Sequence, residues 1–144
     1  MEDNKPVLMA RLMRTAAEWR QYTRRVALKA GIPEAYRPIL RYLRRNPGAS
    51  QKELAEDMCV SGAAASRTVN EMLLGGYITR SEDEKDRRVK RLTLTDKGRE
   101  CGETMRRALS VPDALIYEKL GPEDSEKLLE TLEKLSDIIR EMEK

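Results

Sequence analysis

The sequence predicts a mainly α-helical chain with one small β-hairpin, and three observations carry this reading. Helical runs with recognisable start and stop signals follow one another along the 144 residues. Aromatic residues make up only 4% and Phe is absent, so Leu, Met, Val, Ile and Ala must supply the core, which suits packed helices better than a large sheet. Two short strand-like runs, Tyr77 to Arg80 and Val89 to Thr95, flank a charged loop that cannot bury anything and so projects into water as a hairpin tip. A chain of this length is expected to form one domain around one modest core.

From Val7 to Lys29, Leu8, Leu12, Ala16, Trp19, Thr23 and Val26 recur at helical spacing opposite positions rich in Arg and Gln, which predicts one long amphipathic helix. Gly31 and Pro33 stop it. A second helix is expected over Glu34 to Arg45, with Ile39, Leu40 and Leu43 inward, up to the break at Asn46-Pro47-Gly48. Ser50-Gln51-Lys52-Glu53 fits a capping box that opens a third helix, Gln51 to Met58. Cys59-Val60-Ser61 separates it from a fourth, Gly62 to Leu74, capped by Ser61, with Ala65, Val69, Met72 and Leu73 as its inner face. Gly75-Gly76 ends that helix before the hairpin. Thr95 then caps a long fifth helix in which Pro112 is expected to mark a kink or local break. Gly121-Pro122-Glu123-Asp124 starts the last helix, with Pro in the first turn and acids at the positive end of the dipole. Its Leu128, Leu132, Leu135, Ile139 and Met142 follow steps of 4, 3, 4 and 3, the narrow seam by which one helix meets another. The seam and Leu8 and Leu12 of the first helix meet either within one subunit or across a dimer. A dimer is favoured, because both terminal helices exceed what the small central part can cover.

Helix, turn, helix and then a basic hairpin is the layout of a winged helix-turn-helix that binds DNA. The net charge of +3 is too small to identify a partner, but residues 1–50 carry 11 Lys/Arg against 4 Asp/Glu, residues 51–100 carry 10 against 10, and residues 101–144 carry 7 against 11. A polyanion is attracted to particular surfaces and repelled from the C-terminal one. With no His and with Cys59 and Cys101 outside any C-x-x-C spacing, zinc sites of the usual Cys/His kind are excluded, and no metal or cofactor is expected. Without His or a Gly-rich phosphate loop, and with its acidic clusters in a water-exposed wing, the chain is not expected to be an enzyme. No apolar run approaches the roughly 20 residues that span a bilayer and there is no signal-peptide core, so no membrane partner and a cytoplasmic location are expected.

The run Leu54-Ala55-Glu56, then Val60-Ser61, Arg67, Val69 and Gly76, followed by Asp86-Arg87-Arg88 and Leu92-Thr93-Leu94-Thr95 with Gly98, resembles the MarR family of bacterial and archaeal transcription regulators. The spacing D-x-R-x-x-x-L-x-L-T-x-x-G matches that family's wing without a gap, and the likeness covers residues 33–100 well. The resemblance implies one domain spanning 1–144: a dimerisation helix over 1–32, the winged helix-turn-helix over 33–100, and two further dimerisation helices over 101–144. It implies a homodimer whose recognition helix, about 62–74, enters the major groove of double-stranded DNA and whose wing, about 81–91, reaches the minor groove. Arg88 matches the family's wing-tip arginine and Asp86 the acid that orients it.

The residues support these roles chemically. A guanidinium is planar, always charged and weakly hydrated, so Arg88 suits a narrow, negative minor groove, and Asp86 two residues earlier on an extended strand can hold its fork. The other reading is a solvated loop whose charges neutralise one another, given Glu82, Asp83, Glu84 and Asp86 nearby. On the fourth helix Gly62, Ala63, Ser66, Arg67 and Asn70 face outward, and Ser61 at its cap joins them as a candidate DNA contact. Asn bridges adenine and Arg guanine, each such pair discriminating by about 1–3 kcal/mol. Gly62-Ala63-Ala64 lacks the hydroxyl and guanidinium groups common there in the family, so methyl contacts and DNA shape carry more of the reading, and Arg67 falls where relatives often meet phosphate. Ser50 and Gln51 lie where free N–H groups can hold a phosphate or simply cap the helix. Lys52, Lys85, Arg87, Lys90 and Arg91 are candidates for neutralising the DNA backbone or ordinary surface charge.

Some relatives sense oxidants through a cysteine near the start of the first helix, where this chain has none. Cys59 falls in the turn where relatives usually have Gly, and a small buried residue accounts for it. Trp19, Tyr22 and Tyr36 either line the family's small-molecule pocket or serve as large core residues. The expectation is therefore a homodimeric regulator, a repressor on a pseudo-palindromic operator, open to release by a small-molecule effector. The alternative is a winged protein that coats DNA without sequence preference or contacts another protein.

Overall fold

Eight elements follow in order: α1 Leu8–Lys29, α2 Tyr36–Arg45, α3 Gln51–Asp57, α4 Gly62–Leu74, β1 Ile78–Glu82, β2 Lys90–Leu94, α5 Asp96–Leu120 and α6 Pro122–Met142. The computed structural model describes residues 7–144. Residues 1–6 of the expected N-terminal segment lie outside the described residues. The chain divides into two compact units, the first ending at Arg107 and the second beginning at Ala108.

In the first unit α1 buries Thr23 and Ala27. The Thr23 hydroxyl donates to Glu34 Oε1 at 2.9 Å, fixing the approach to the next helix. That helix begins two residues later than expected. Pro33 to Ala35 form tight turns instead, with Tyr36 N–H donating to the Pro33 carbonyl at 3.0 Å and Arg37 N–H to the Glu34 carbonyl at 3.2 Å. The Glu34 carboxylate is drawn toward Thr23 and toward Arg37 at 3.7 Å rather than toward a helix start. The buried face of α2 gains Tyr36 beside Ile39, Leu40 and Leu43.

The capping box at Ser50 forms in both directions, because the Ser50 hydroxyl accepts from Glu53 N–H and the Glu53 carboxylate accepts from Ser50 N–H, each at 3.1 Å. Here α3 stops at Asp57, and Met58 becomes its C-cap. Ser61 caps α4 by accepting from Ala64 N–H at 3.2 Å. Ala65, Val69 and Met72 are buried as expected, whereas Leu73 is half-buried.

The hairpin pairs antiparallel with Ile78 opposite Leu94, Arg80 opposite Leu92 and Glu82 opposite Lys90. Both strand ends differ from the sequence reading. The first strand continues through Ser81 and Glu82 because cross-strand partners await them: Lys90 Nζ donates to Glu82 at 2.9 Å, and Asp83 N–H donates to the Val89 carbonyl at 2.9 Å. Ile78, Leu92 and Leu94 are buried. Gly48 N–H donates to the Leu92 carbonyl and Leu92 N–H to that of Ala49, both at 2.9 Å, so the wing's base is stitched to the residues leading into α3. Ile39, Leu40, Leu43, Leu54, Val69, Met72, Ile78 and Leu92 form the fully buried core, where truncation to Ala costs about 2–5 kcal/mol per large side chain.

Thr95 caps α5 by accepting from Gly98 N–H at 3.1 Å, and its hydroxyl donates to the Gly76 carbonyl at 2.6 Å. The helix runs through Pro112 to Leu120 without the local break that was one of the two expected effects of the proline. In the second unit, Gly121 adopts φ +85° and Pro122 takes the first position of α6. Ser125 is buried, with its hydroxyl donating to the Tyr117 carbonyl at 3.4 Å. On α6, Leu132 and Leu135 are half-buried while Leu128, Ile139 and Met142 are exposed; Leu8 on α1 is exposed and Leu12 half-buried. Among the described residues no helix is long and apolar enough to cross a membrane.

Candidate nucleic-acid interface

The outward face of α4 presents Gly62, Ala63, Arg67 and Asn70 to solvent, while Ser66 is half-buried. Ser66 has a partner that the sequence did not reveal. Gln51 Nε2 donates to its hydroxyl at 2.8 Å, so the start of α3 is tied to the recognition-type helix. Ser61 is exposed, but its hydroxyl is engaged as the cap of α4. Ser50 is 7% exposed and committed to its capping box, so it is withdrawn from the outer surface, whereas Lys52 is exposed beside it.

The turn between α3 and α4 corrects the reading of Cys59. The side chain is exposed, not buried. Cys59 has φ +54°, the left-handed region in which a Cβ is disfavoured, and this explains why a Gly would suit the position. Cys101 on α5 is half-buried, and burial pushes its thiol above the ordinary value.

At the wing tip Asp86 grips Arg88 with both oxygens: Nε donates to Oδ1 and Nη2 to Oδ2, each at 3.1 Å. The two residues lie in a turn rather than on an extended strand. Arg88 N–H also donates to Asp86 Oδ1 at 3.0 Å, the short-range pattern by which an aspartate closes a turn on its own backbone. The Arg88 side chain is nevertheless 91% exposed, so the fork is held in place while its charge faces water. The side-chain hydrogen bonds from Arg88 and then its backbone N–H lower the Asp86 carboxyl from its ordinary value, and the same side-chain contact pushes the guanidinium up.

Asp83 organises the same loop and was not singled out by the sequence reading. Its Oδ2 accepts from the N–H groups of Lys85 and Asp86, both at 3.0 Å, and its Oδ1 accepts from Arg91 Nε at 3.1 Å. The Asp86 and Lys85 backbone bonds and then the Arg91 contact lower its carboxyl from the ordinary value. The signal available was the Asp83-x-x-Asp86 spacing, which suits a carboxylate accepting two and three residues ahead. Of the basic candidates, Lys85 and Arg87 are exposed and make no ion pair among the described residues. Lys90 is occupied by Glu82 and by the Arg87 carbonyl at 3.2 Å, and Arg91 by Asp83, so these two brace the wing.

The three aromatic residues considered for a pocket are not joined as one group. Trp19 stacks on Tyr22 with centroids 5.5 Å apart, whereas Tyr36 meets Tyr77 edge-on at 5.2 Å.

This geometry matches known proteins. The profile of the MarR family matches residues 30–89. The HTH-type transcriptional regulator BilQ of Clostridium symbiosum (strain WAL-14163) is 34% identical over 107 residues, 74% of this chain and 74% of that protein. The crystal structure of the transcriptional regulator PA4135 has a TM-score of 0.82 at 26% identity, covering 93% of this chain and 98% of that one. The transcriptional repressor CouR, solved bound to a 23-mer DNA duplex, has a TM-score of 0.82 at 23% identity over 90% of this chain and 92% of that one, a likeness of fold. The chain belongs to the MarR family of DNA-binding transcription regulators.

Proposed function

We propose that this regulator acts as a homodimeric repressor on a pseudo-palindromic operator, with α4 in the major groove, the loop over residues 81–91 in the adjacent minor groove, and release by a small-molecule effector. The observation that carries the reading is the Asp86–Arg88 pair, which fixes the orientation of a guanidinium that is otherwise open to solvent. A pre-oriented arginine loses less side-chain freedom on entering a narrow groove. Exposed Arg67, Lys85 and Arg87 supply charge for phosphates on either side, and Asn70 supplies base-reading capacity. CouR, which has the same fold, is bound to a DNA duplex, and this supports duplex DNA as the partner. The exposed apolar groups of α6, with Leu8 and Leu12 of α1, support a second copy as the partner of the terminal helices.

Duplex selection tests this reading. A bound sequence is expected to exceed random duplexes by roughly 10³ in affinity, with one dimer per site of about two helical turns. The bare first turn, Gly62-Ala63-Ala64, favours a second reading as a non-specific architectural protein, which equal affinity for all duplexes would establish. Leu132→Asp is expected to give monomers on a sizing column, and an unchanged elution volume contradicts the dimer. Effector release is read as a compound that dissociates the duplex from the wild type.

A further inference from the structure

We propose that Asp83 is the positioning residue of the wing, setting where the Arg88 guanidinium stands by way of the Asp86 backbone; this rests on the reading of the wing as the DNA-contacting loop. Asp83 joins both sides of the loop at its base. Its N–H donates across to the Val89 carbonyl at 2.9 Å, and its carboxylate reaches the other strand through Arg91 Nε at 3.1 Å. The remaining oxygen accepts from two consecutive N–H groups, the second of which belongs to Asp86. Asp86 then spends its own carboxylate on the Arg88 fork.

Exposure separates the roles. Arg88 has a side chain 91% exposed, whereas that of Asp83 is 24% exposed. The negative charge of Asp83 is therefore spent inward, on Arg91 and the turn, and adds less repulsion toward a phosphate than an outward acid would. Arg91 is itself anchored, since its backbone lies paired with Ser50 ahead of α3 through the Leu92 N–H to Ala49 carbonyl bond, and its Nη1 donates to the Gly48 carbonyl at 3.5 Å. The relay runs from the wing's base through Arg91, Asp83 and Asp86 to Arg88. Without Asp83 the N–H groups of Lys85 and Asp86 lose their acceptor and the turn loses its fixed geometry, so the loop must be ordered at the moment of binding.

A double-mutant cycle on a selected duplex at fixed salt tests this, with wild type, Asp83→Ala, Arg88→Ala and the double variant. Asp83→Ala is expected to weaken binding about tenfold in the wild type and less than about twofold in the Arg88→Ala background. Asp83→Asn, which keeps an acceptor for the turn, is expected to recover part of the loss and serves as the measured variant should Asp83→Ala fail to fold. An equal loss in both backgrounds, or no loss in either, overturns the positioning role. Arg88→Ala binding as tightly as wild type overturns the wing reading itself, an outcome distinct from failure of the cycle.

Discussion

Gly98 lies against the backbone of Tyr77, where a Cβ would stand 2.0 Å from the carbonyl oxygen. That oxygen also accepts from Thr95 N–H at 3.0 Å, so it is pinned where the hairpin meets α5. The glycine that closes the wing pattern is thus a packing requirement between the start of α5 and the entry to β1.

Gly98→Ala is expected to cost on the order of 3 kcal/mol, because the obstacle is backbone rather than a mobile side chain. Gly102→Ala, four residues later, provides the control. Its Cβ would meet Leu40 Cβ at an ordinary 3.6 Å, so the helix gains about 0.5–1 kcal/mol. Denaturant midpoints of the two variants check both signs.

Cys59 in the left-handed region carries a cost that glycine would relieve, partly offset by the greater freedom of glycine in the unfolded chain. Cys59→Gly is expected to stabilise by about 0.5 kcal/mol, and Cys59→Val to destabilise by about 1 kcal/mol or more. Equal midpoints for all three proteins would remove backbone strain from the account of this turn.

Thiol labelling separates the two cysteines. Cys59 is exposed, whereas Cys101 is half-buried with its thiol pushed up, so less of it is thiolate at neutral pH. Brief alkylation at pH 7 is expected to modify Cys59 first. Mass spectrometry showing preferential loss of the Cys101 thiol would contradict the burial described for α5.

Acid should loosen the wing tip before the helical core. Asp83 and Asp86 have carboxyls lowered by hydrogen bonds in the folded loop, so the unfolded loop binds more protons once the pH enters the ordinary carboxylate range near 4. The stabilisation is present above that value and is lost as the pH falls through the lowered folded values. Protection factors of the Lys85, Asp86 and Arg88 amides, taken against the intrinsic exchange rate at each pH, are expected to fall there while those of Val69 and Leu92 stay high.

Much of this was legible because caps and stops are local chemistry. Ser50 with Glu53, Ser61, Thr95 and Gly121-Pro122 all act where the sequence put them. Features governed by distant partners were not legible. The sequence predicts a helix from Glu34, yet Thr23 eleven residues earlier claims its carboxylate. The strand ends were misplaced by up to two residues because the Glu82–Lys90 and Asp83–Val89 partnerships fix them across the hairpin. In the candidate site the coupling of Asp86 to Arg88 was foreseen, but its turn geometry and Asp83 beneath it depend on backbone angles that spacing does not encode. Ser50, a candidate phosphate contact by its place at a helix start, is buried at its own cap.

Whether Arg88, held by Asp86, enters the DNA is read from the salt dependence of duplex affinity for wild type and Arg88→Ala. Loss of Arg88 is expected to weaken binding and to reduce the log–log slope by about one unit in magnitude; affinity and slope both unchanged would place Arg88 outside the DNA.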